Sequence, residues 1–370
     1  MTSSEIHQLG TVKAPQDCFG RRDAPPQAVI KDDAFWDRYD CDTLIYDTIW
    51  DADRKRLRLV MPKPFNFADP LLQGRFCIDD QPVKPRLHKF QRFDLIDFMA
   101  ERADRLNLTT ADTQINIPIS SAQPNRFAGR NVIYTMIHND DLAWVHDWAL
   151  AHQRNHGADA VLIANNGSTA YTSDALAATL ATVPGIAVAD VLEVPLPYGP
   201  TGGASTALGN AKFLQTACLN LVRDRFFQQA RAVLLCDVDE LVTGPDGQSI
   251  FDATVQSLTK YKPFTGVWRY ADAPAPTIRH ADHILRHHTK KICASKYCIV
   301  PDSFFGRMCW SVHSLENVNR RIFRPRNRFQ FYHCRSISTS WKNNRRATTK
   351  HGCEPDPATE AFMRRTFPPT

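Results

Sequence analysis

The tetrad Asp237-Val238-Asp239-Glu240 stands directly after Ala232-Val-Leu-Leu-Cys236, an apolar run of the kind carried by a strand buried on both faces. Two carboxylates two residues apart, just past the end of such a strand, project toward one point. Their hard oxygens suit Mg2+ or Mn2+, ions that keep positions open for phosphate oxygens. A cation held there and bridging two phosphates neutralises the charge that develops as a diphosphate departs. Asp237 and Asp239 are therefore the expected metal-holding pair, with Asp237 also on the nucleotide side. The same pattern closes ordinary strands as an Asp-rich turn, so the other groups at the same rim matter.

Those groups are positioned by the flanking chain. Asn131-Val-Ile-Tyr-Thr-Met-Ile137 predicts a second doubly buried strand, and His138-Asn139-Asp140 opens a helix. Leu142, Val145 and Ala149 form one stripe of that helix, and Gly157 stands where a left-handed residue ends it. Ala160-Val-Leu-Ile-Ala164 is the next strand, closed by Asn165-Asn166-Gly167-Ser168. A helix over 172–182, a strand over 186–194 and a long helix over 206–229, with Leu214, Cys218, Leu221 and Val222 on one face, lead to the tetrad's strand. Alternation of this kind predicts an α/β fold, a mostly parallel mixed sheet flanked by helices, which binds ligands at the carboxyl ends of its strands. Asn139, Asn165, Asn166 and the tetrad share that rim, where a carboxamide can bond the edge of a nucleobase. The loop over 195–205 is glycine-rich but lacks the Gly-Lys-Ser/Thr of a phosphate-binding loop.

The chain is an ordinary globular one: 370 residues at 43% hydrophobic bury a full core without disulfides or structural metal. No apolar stretch reaches eighteen residues, and the first residues lack a leader pattern, so the expected address is the cytoplasm. Ten cysteines with no Cys-x-x-Cys pair read as reduced thiols. The net charge of +6 is uneven: residues 284–350 hold fifteen Lys/Arg against Asp302 and Glu316, a net of +13. Such a face attracts phosphate or the anionic inner surface of a membrane.

Asp141-Leu-Ala-Trp-Val-His-Asp-Trp-Ala-Leu-Ala-His152, followed by Gly157-Ala-Asp-Ala-Val-Leu-Ile-Ala-Asn-Asn-Gly-Ser168, resembles the opening of bacterial family-2-like and family-92 glycosyltransferases. The Asp237-Val-Asp239-Glu240 segment resembles their metal motif. Ser295-Lys296-Tyr-Cys-Ile-Val-Pro301 with Val312-His313-Ser314, and Phe331-Tyr-His333-Cys-Arg-Ser336 with Trp341-Lys342, resemble two later elements. Asn165, Leu241 and Cys334 depart from the commoner Asp, Phe and Tyr. The resemblance spans 131–342 and implies a GT-A-type fold, a nucleotide-sugar donor, a glycan or lipid-linked acceptor, and Mn2+ or Mg2+. It implies a late histidine, His313 or His333, at the metal or the diphosphate. A general base must reach the acceptor hydroxyl, for which Glu240, Glu316 and Asp302 are the candidates beside His313, and Lys212 and Lys296 are candidate phosphate contacts. The expected organisation is a loosely ordered arm (1–33), a small β-rich accessory module (34–129) containing a short helix over 95–106, a catalytic domain (130–350) and a tail (351–370).

Two other readings use the same residues. In a haloacid-dehalogenase-type phosphatase Asp237 would be the nucleophile and Asp239 the acid, but that motif continues differently and sits on the first strand of its domain. The arginine-rich segment 320–346, interleaved with Phe323, Phe329, Phe331 and Tyr332, could stack single-stranded nucleic acid. No binding module accompanies it, and no nucleic-acid partner is expected.

Overall fold

The computed structural model of the chain describes residues 2–368 apart from 27, 29, 31–32, 112, 201–211, 273–277, 290–291, 320–327, 338 and 340–351. The expected base-stacking segment and Trp341-Lys342 therefore lie largely outside the described residues. The chain forms two compact units. One comprises Met1–His7, Phe127–Pro195 and Gln229–Thr370; the other comprises Gln8–Arg126 and Leu196–Gln228.

The first unit is mixed α/β, a large sheet flanked by helices. Its strands are β1 (Ile6–His7), β2 (Asn131–Ile137), β3 (Ala160–Asn165), β4 (Val188–Glu193), β5 (Ala232–Leu235), β6 (Glu240–Thr243), β7 (Tyr261–Arg269), β8 (Lys296–Ile299) and β9 (Gln330–Cys334). They lie in the order β1-β4-β3-β2-β5-β8-β7-β9-β6. The first five run parallel, and β8 joins β5 antiparallel. The chain runs outward from β2 through β3 to β4, then returns to the other side of β2 as β5. The carboxyl ends of β2 and β5 are therefore the switch point of this sheet, the place where such folds bind ligands. β7 is shared along its length: residues 261–264 pair with β8, and 265–269 pair with β9. This places β9 and its partner β6 beyond the carboxyl rim of β5.

The first two helices form where the sequence expects them, and two more stand where it predicts none. α1 (Leu142–His156) starts at Asp141, whose side chain accepts the Ala143 amide at 2.8 Å. It ends at Gly157, φ 70°, where the left-handed backbone returns the Gly157 amide to the Gln153 carbonyl. α2 (Ser173–Ala181) is capped by Thr172, and α3 (Ile250–Gln256) and α4 (Pro357–Thr366) complete the unit.

Several expectations change. The N-terminal arm is not loose: Ile6 and His7 pair with Val191 and Leu192, and His7 Nε2 bonds buried Asp190 at 2.9 Å. The tail is likewise built in. Strand Cys353–Pro355 pairs with Leu285–His287, and Asp356 holds buried Arg269 at 2.7 Å.

The second unit holds a five-stranded and a four-stranded sheet. The helix expected over 95–106 is instead strand Phe93–Met99, paired on both sides with Arg56–Pro62 and Arg86–Lys89. Its apolar positions fit helical spacing, but Asp94 and Asp97 find Lys63 and Arg58 on the neighbouring strand only in an extended chain. The described part of the long helix runs Leu214–Val222 and closes in a π-turn, Arg223–Phe227. It packs in this second unit rather than in the α/β unit. Arg223 and Arg58 both clasp buried Asp224 there. All ten cysteines are free thiols. Among the described residues no helix is long and apolar enough to cross a membrane.

Candidate functional site

The tetrad leaves the end of β5 and enters β6 at the far strand of the same sheet, so its turn bridges the central rim and the β9 extension. Its backbone is fastened throughout. The Glu240 amide donates to the Asp237 carbonyl at 3.0 Å, and the Asp237 amide donates to Glu240 Oε2 at 2.8 Å. The Cys334 amide donates to the Asp239 carbonyl at 2.7 Å, tying the turn to β9. The β6–β9 register sets Glu240 opposite His333. The β7–β9 register sets Trp268 beside the same histidine, with the two rings stacked at 3.7 Å and 20°. The Arg335 guanidinium lies 5.0 Å from the Trp268 ring centre.

Charges fill this edge. Lys296, 3% exposed at the start of β8, lies 2.9 Å from Asp237 and 3.2 Å from Glu240. Burial works against its charge, but the two carboxylates raise its pKa above the ordinary lysine range. Burial pushes the Glu240 carboxyl up to about 7 despite Lys296. His333 Nε2 lies 2.8 Å from Asp239 Oδ2. Burial disfavours its charge, yet the Asp239 carboxylate prevails and pushes the imidazole up to about 10. Asp237 is the most open of the three acids, its side chain 30% exposed.

Ligand atoms of Asp239, Glu240 and His333 lie within 4.8 Å of one another, the one such group among the described residues. Two carboxylates and an imidazole make a donor set suited to a borderline-hard divalent ion such as Mn2+. The residues present therefore fit a metal, provided that His333 gives up its proton on binding.

The expected site residues divide. Asp237, Asp239, Glu240, Lys296 and His333 come together. Of the expected metal set Asp237, Asp239 and His313, only Asp239 belongs to the group of possible ligands Asp239, Glu240 and His333, and Lys296 pairs with both Asp237 and Glu240. His313 is exposed, its ring bonded to the Ser295 carbonyl at 3.1 Å, and stands outside the cluster. Glu316 also stands outside it, with its amide on the Cys309 carbonyl in the 309–316 hairpin. Asp302 is ion-paired with Arg307.

The three asparagines hydrogen-bond within the rim loops. Asn139, φ 56°, accepts the Thr169 and Ala170 amides at 2.7 and 2.9 Å. Buried Asn165 bridges Ser173 and the Ser168 amide, and Asn166 donates to the Val194 carbonyl at 2.7 Å. Lys212 belongs to the second unit, where its ammonium lies 5.8 Å from the Tyr198 ring centre.

Sequence reasoning missed Trp268, although the run Tyr261-Lys-Pro-Phe-Thr-Gly-Val-Trp-Arg269 carries the aromatic and β-branched signature of a strand. It also missed His280, whose Nε2 lies 2.9 Å from the Val238 carbonyl between the two aspartates; no local pattern marks it. No protein-family profile matches the chain, and no curated protein matches it.

Proposed function

We propose that the chain is a metal-dependent glycosyltransferase of GT-A type, moving a sugar from a nucleotide-sugar donor to a hydroxyl of a glycan acceptor. The observation that carries this reading is the acidic turn at the β2/β5 switch point, with Asp239, Glu240 and His333 gathered on it. Three carboxylates against Lys296 and His333 leave the rim net negative, which by itself repels a diphosphate. A bound Mn2+ or Mg2+ supplies the missing positive charge and grips the phosphate oxygens of the leaving group.

The chain's own residues do the rest. Asp239, Glu240 and His333 would hold the ion, with His333 oriented by the Trp268 ring stacked on it. Lys296 fixes Asp237 and Glu240 in the turn and prevents the acids from repelling one another apart. Asp237, the most open acid, is assigned to the substrate side. The phosphatase reading expects the tetrad on the first strand of its domain, whereas β1 to β4 precede it in its own sheet.

A thermal-shift and turnover screen of UDP-, GDP- and CMP-sugars with Mn2+ or EDTA tests the proposal. The expected result is Mn2+-dependent donor hydrolysis that Asp239→Ala abolishes. Full turnover in EDTA or in the variant would contradict it. So would release of nitrophenol from p-nitrophenyl phosphate with no nucleotide sugar consumed.

A further inference from the structure

The segment 278–283 is fastened to three parts of the candidate site at once. Toward α1, Trp144 Nε1 donates to the Ile278 carbonyl at 3.0 Å, and Arg279 grips Asp147 through two bonds of 2.8 and 2.6 Å. Toward the loop after β9, His283 accepts the Ser336 amide at 3.2 Å through Nε2 while its Nδ1 donates to the Arg279 carbonyl. Toward the acidic turn, His280 reaches the Val238 carbonyl at 2.9 Å. His280 is fully buried, and its other nitrogen faces Asp147 Oδ2 at 3.7 Å. A carbonyl can only accept, so Nε2 carries the hydrogen, and the Asp147 carboxylate lies behind the ring on the opposite side.

We propose that His280 is a positioning residue. Carried by a segment that Arg279 fastens to Asp147, it clamps the peptide between Asp237 and Asp239 and so aims the Asp239 and Glu240 carboxylates. The proposal rests on reading that turn as a metal site. The geometry supports it because the neighbouring Asp239 carbonyl is pinned independently by Cys334. With both carbonyls held, the backbone on either side of the Asp239 Cα is fixed, which sets the direction in which its side chain leaves the turn. A buried carbonyl that loses its donor also repels the fold locally, so releasing Val238 loosens the turn rather than merely lengthening one bond.

Two amide substitutions separate positioning from packing. Glutamine places its amide nitrogen where Nε2 stands, whereas asparagine reaches only the place of Nδ1. Hydrogen exchange of the peptide 236–241 and calorimetric Mn2+ binding are measured on the full chain. His280→Gln should keep both near wild type, and His280→Asn should speed exchange and weaken Mn2+ about tenfold. Equal exchange in the two variants overturns the proposal. Should His280→Asn fail to fold, His280→Gln alone decides: wild-type exchange of 236–241 supports the clamp, and faster exchange overturns it. A wild-type chain that binds no Mn2+ overturns the proposed function instead, and the exchange comparison still decides the clamp.

Discussion

Lys296 is the residue on which the electrostatics of the candidate site depend. Its ammonium is nearly sealed from water and compensates two carboxylates, one of them buried beside it. Removing one partner of such a group leaves uncompensated buried charge, so Lys296→Met should cost about 3–5 kcal/mol in urea unfolding. Adding Glu240→Gln should recover part of that loss, since the amide needs no counter-charge; an additive or larger loss in the double variant would contradict the assignment. Asp239→Asn leaves the shape of the site unchanged but removes its ligand charge. It should lower Mn2+-dependent donor turnover at least about a hundredfold, and lower the unfolding midpoint as well, because His333 loses the carboxylate that it pairs with. Of the expected site residues, the tetrad was legible because acids directly after an apolar run stand out. The choice between His313 and His333 was not legible: both lie late in the chain beside aromatic residues, and only the β6–β9 register sets 333 opposite Glu240.

At the scale of elements, the local signals that were strong were also local in cause. Gly157 ends α1 because its φ of 70° suits a residue without Cβ, so Gly157→Ala should cost about 1 kcal/mol by thermal or urea unfolding. β2, β3 and β5 were readable from unbroken apolar runs, since strands covered on both faces leave no place for alternation. Phe93–Met99 was misread as helix because what decides it is not local: two aspartates meet cations across a neighbouring strand. The same limit hid β7 as the strand shared between β8 and β9, and with it the partner of His333. The arm and the tail were also undervalued, because single strands and one short helix gain their stability only from the sheet and the Arg269–Asp356 pair they join.

Across the whole molecule, buried histidines set how stability responds to acid. Burial lowers His152 to about 3, His156 to about 4 and His283 to about 3, so all three stay neutral in the folded chain. Unfolded, each titrates near the ordinary histidine value of about 6.5. Below that pH the unfolded chain takes up protons that the folded chain refuses. Each of the three should therefore cost stability as pH drops from about 6.5 toward 4, by about 1.4 kcal/mol per pH unit. His333 and Glu240, pushed up to about 10 and about 7, instead cost stability as pH rises and so oppose this trend near neutrality. Urea midpoints at pH 5.5 and 4.5, where His333 is protonated in both states, check this: the midpoint should be lower at 4.5, and equal midpoints would contradict it. The central claim concerns the rim itself: a divalent ion belongs on Asp239, Glu240 and His333, where it turns a repelling edge into one that binds a diphosphate. Anomalous scattering from a crystal soaked in Mn2+ tests it most directly. The account predicts one strong peak bound by those three side chains, with the Asp239–His333 hydrogen bond replaced by two metal bonds. Full soaking with that hydrogen bond intact and no peak at the turn would contradict it.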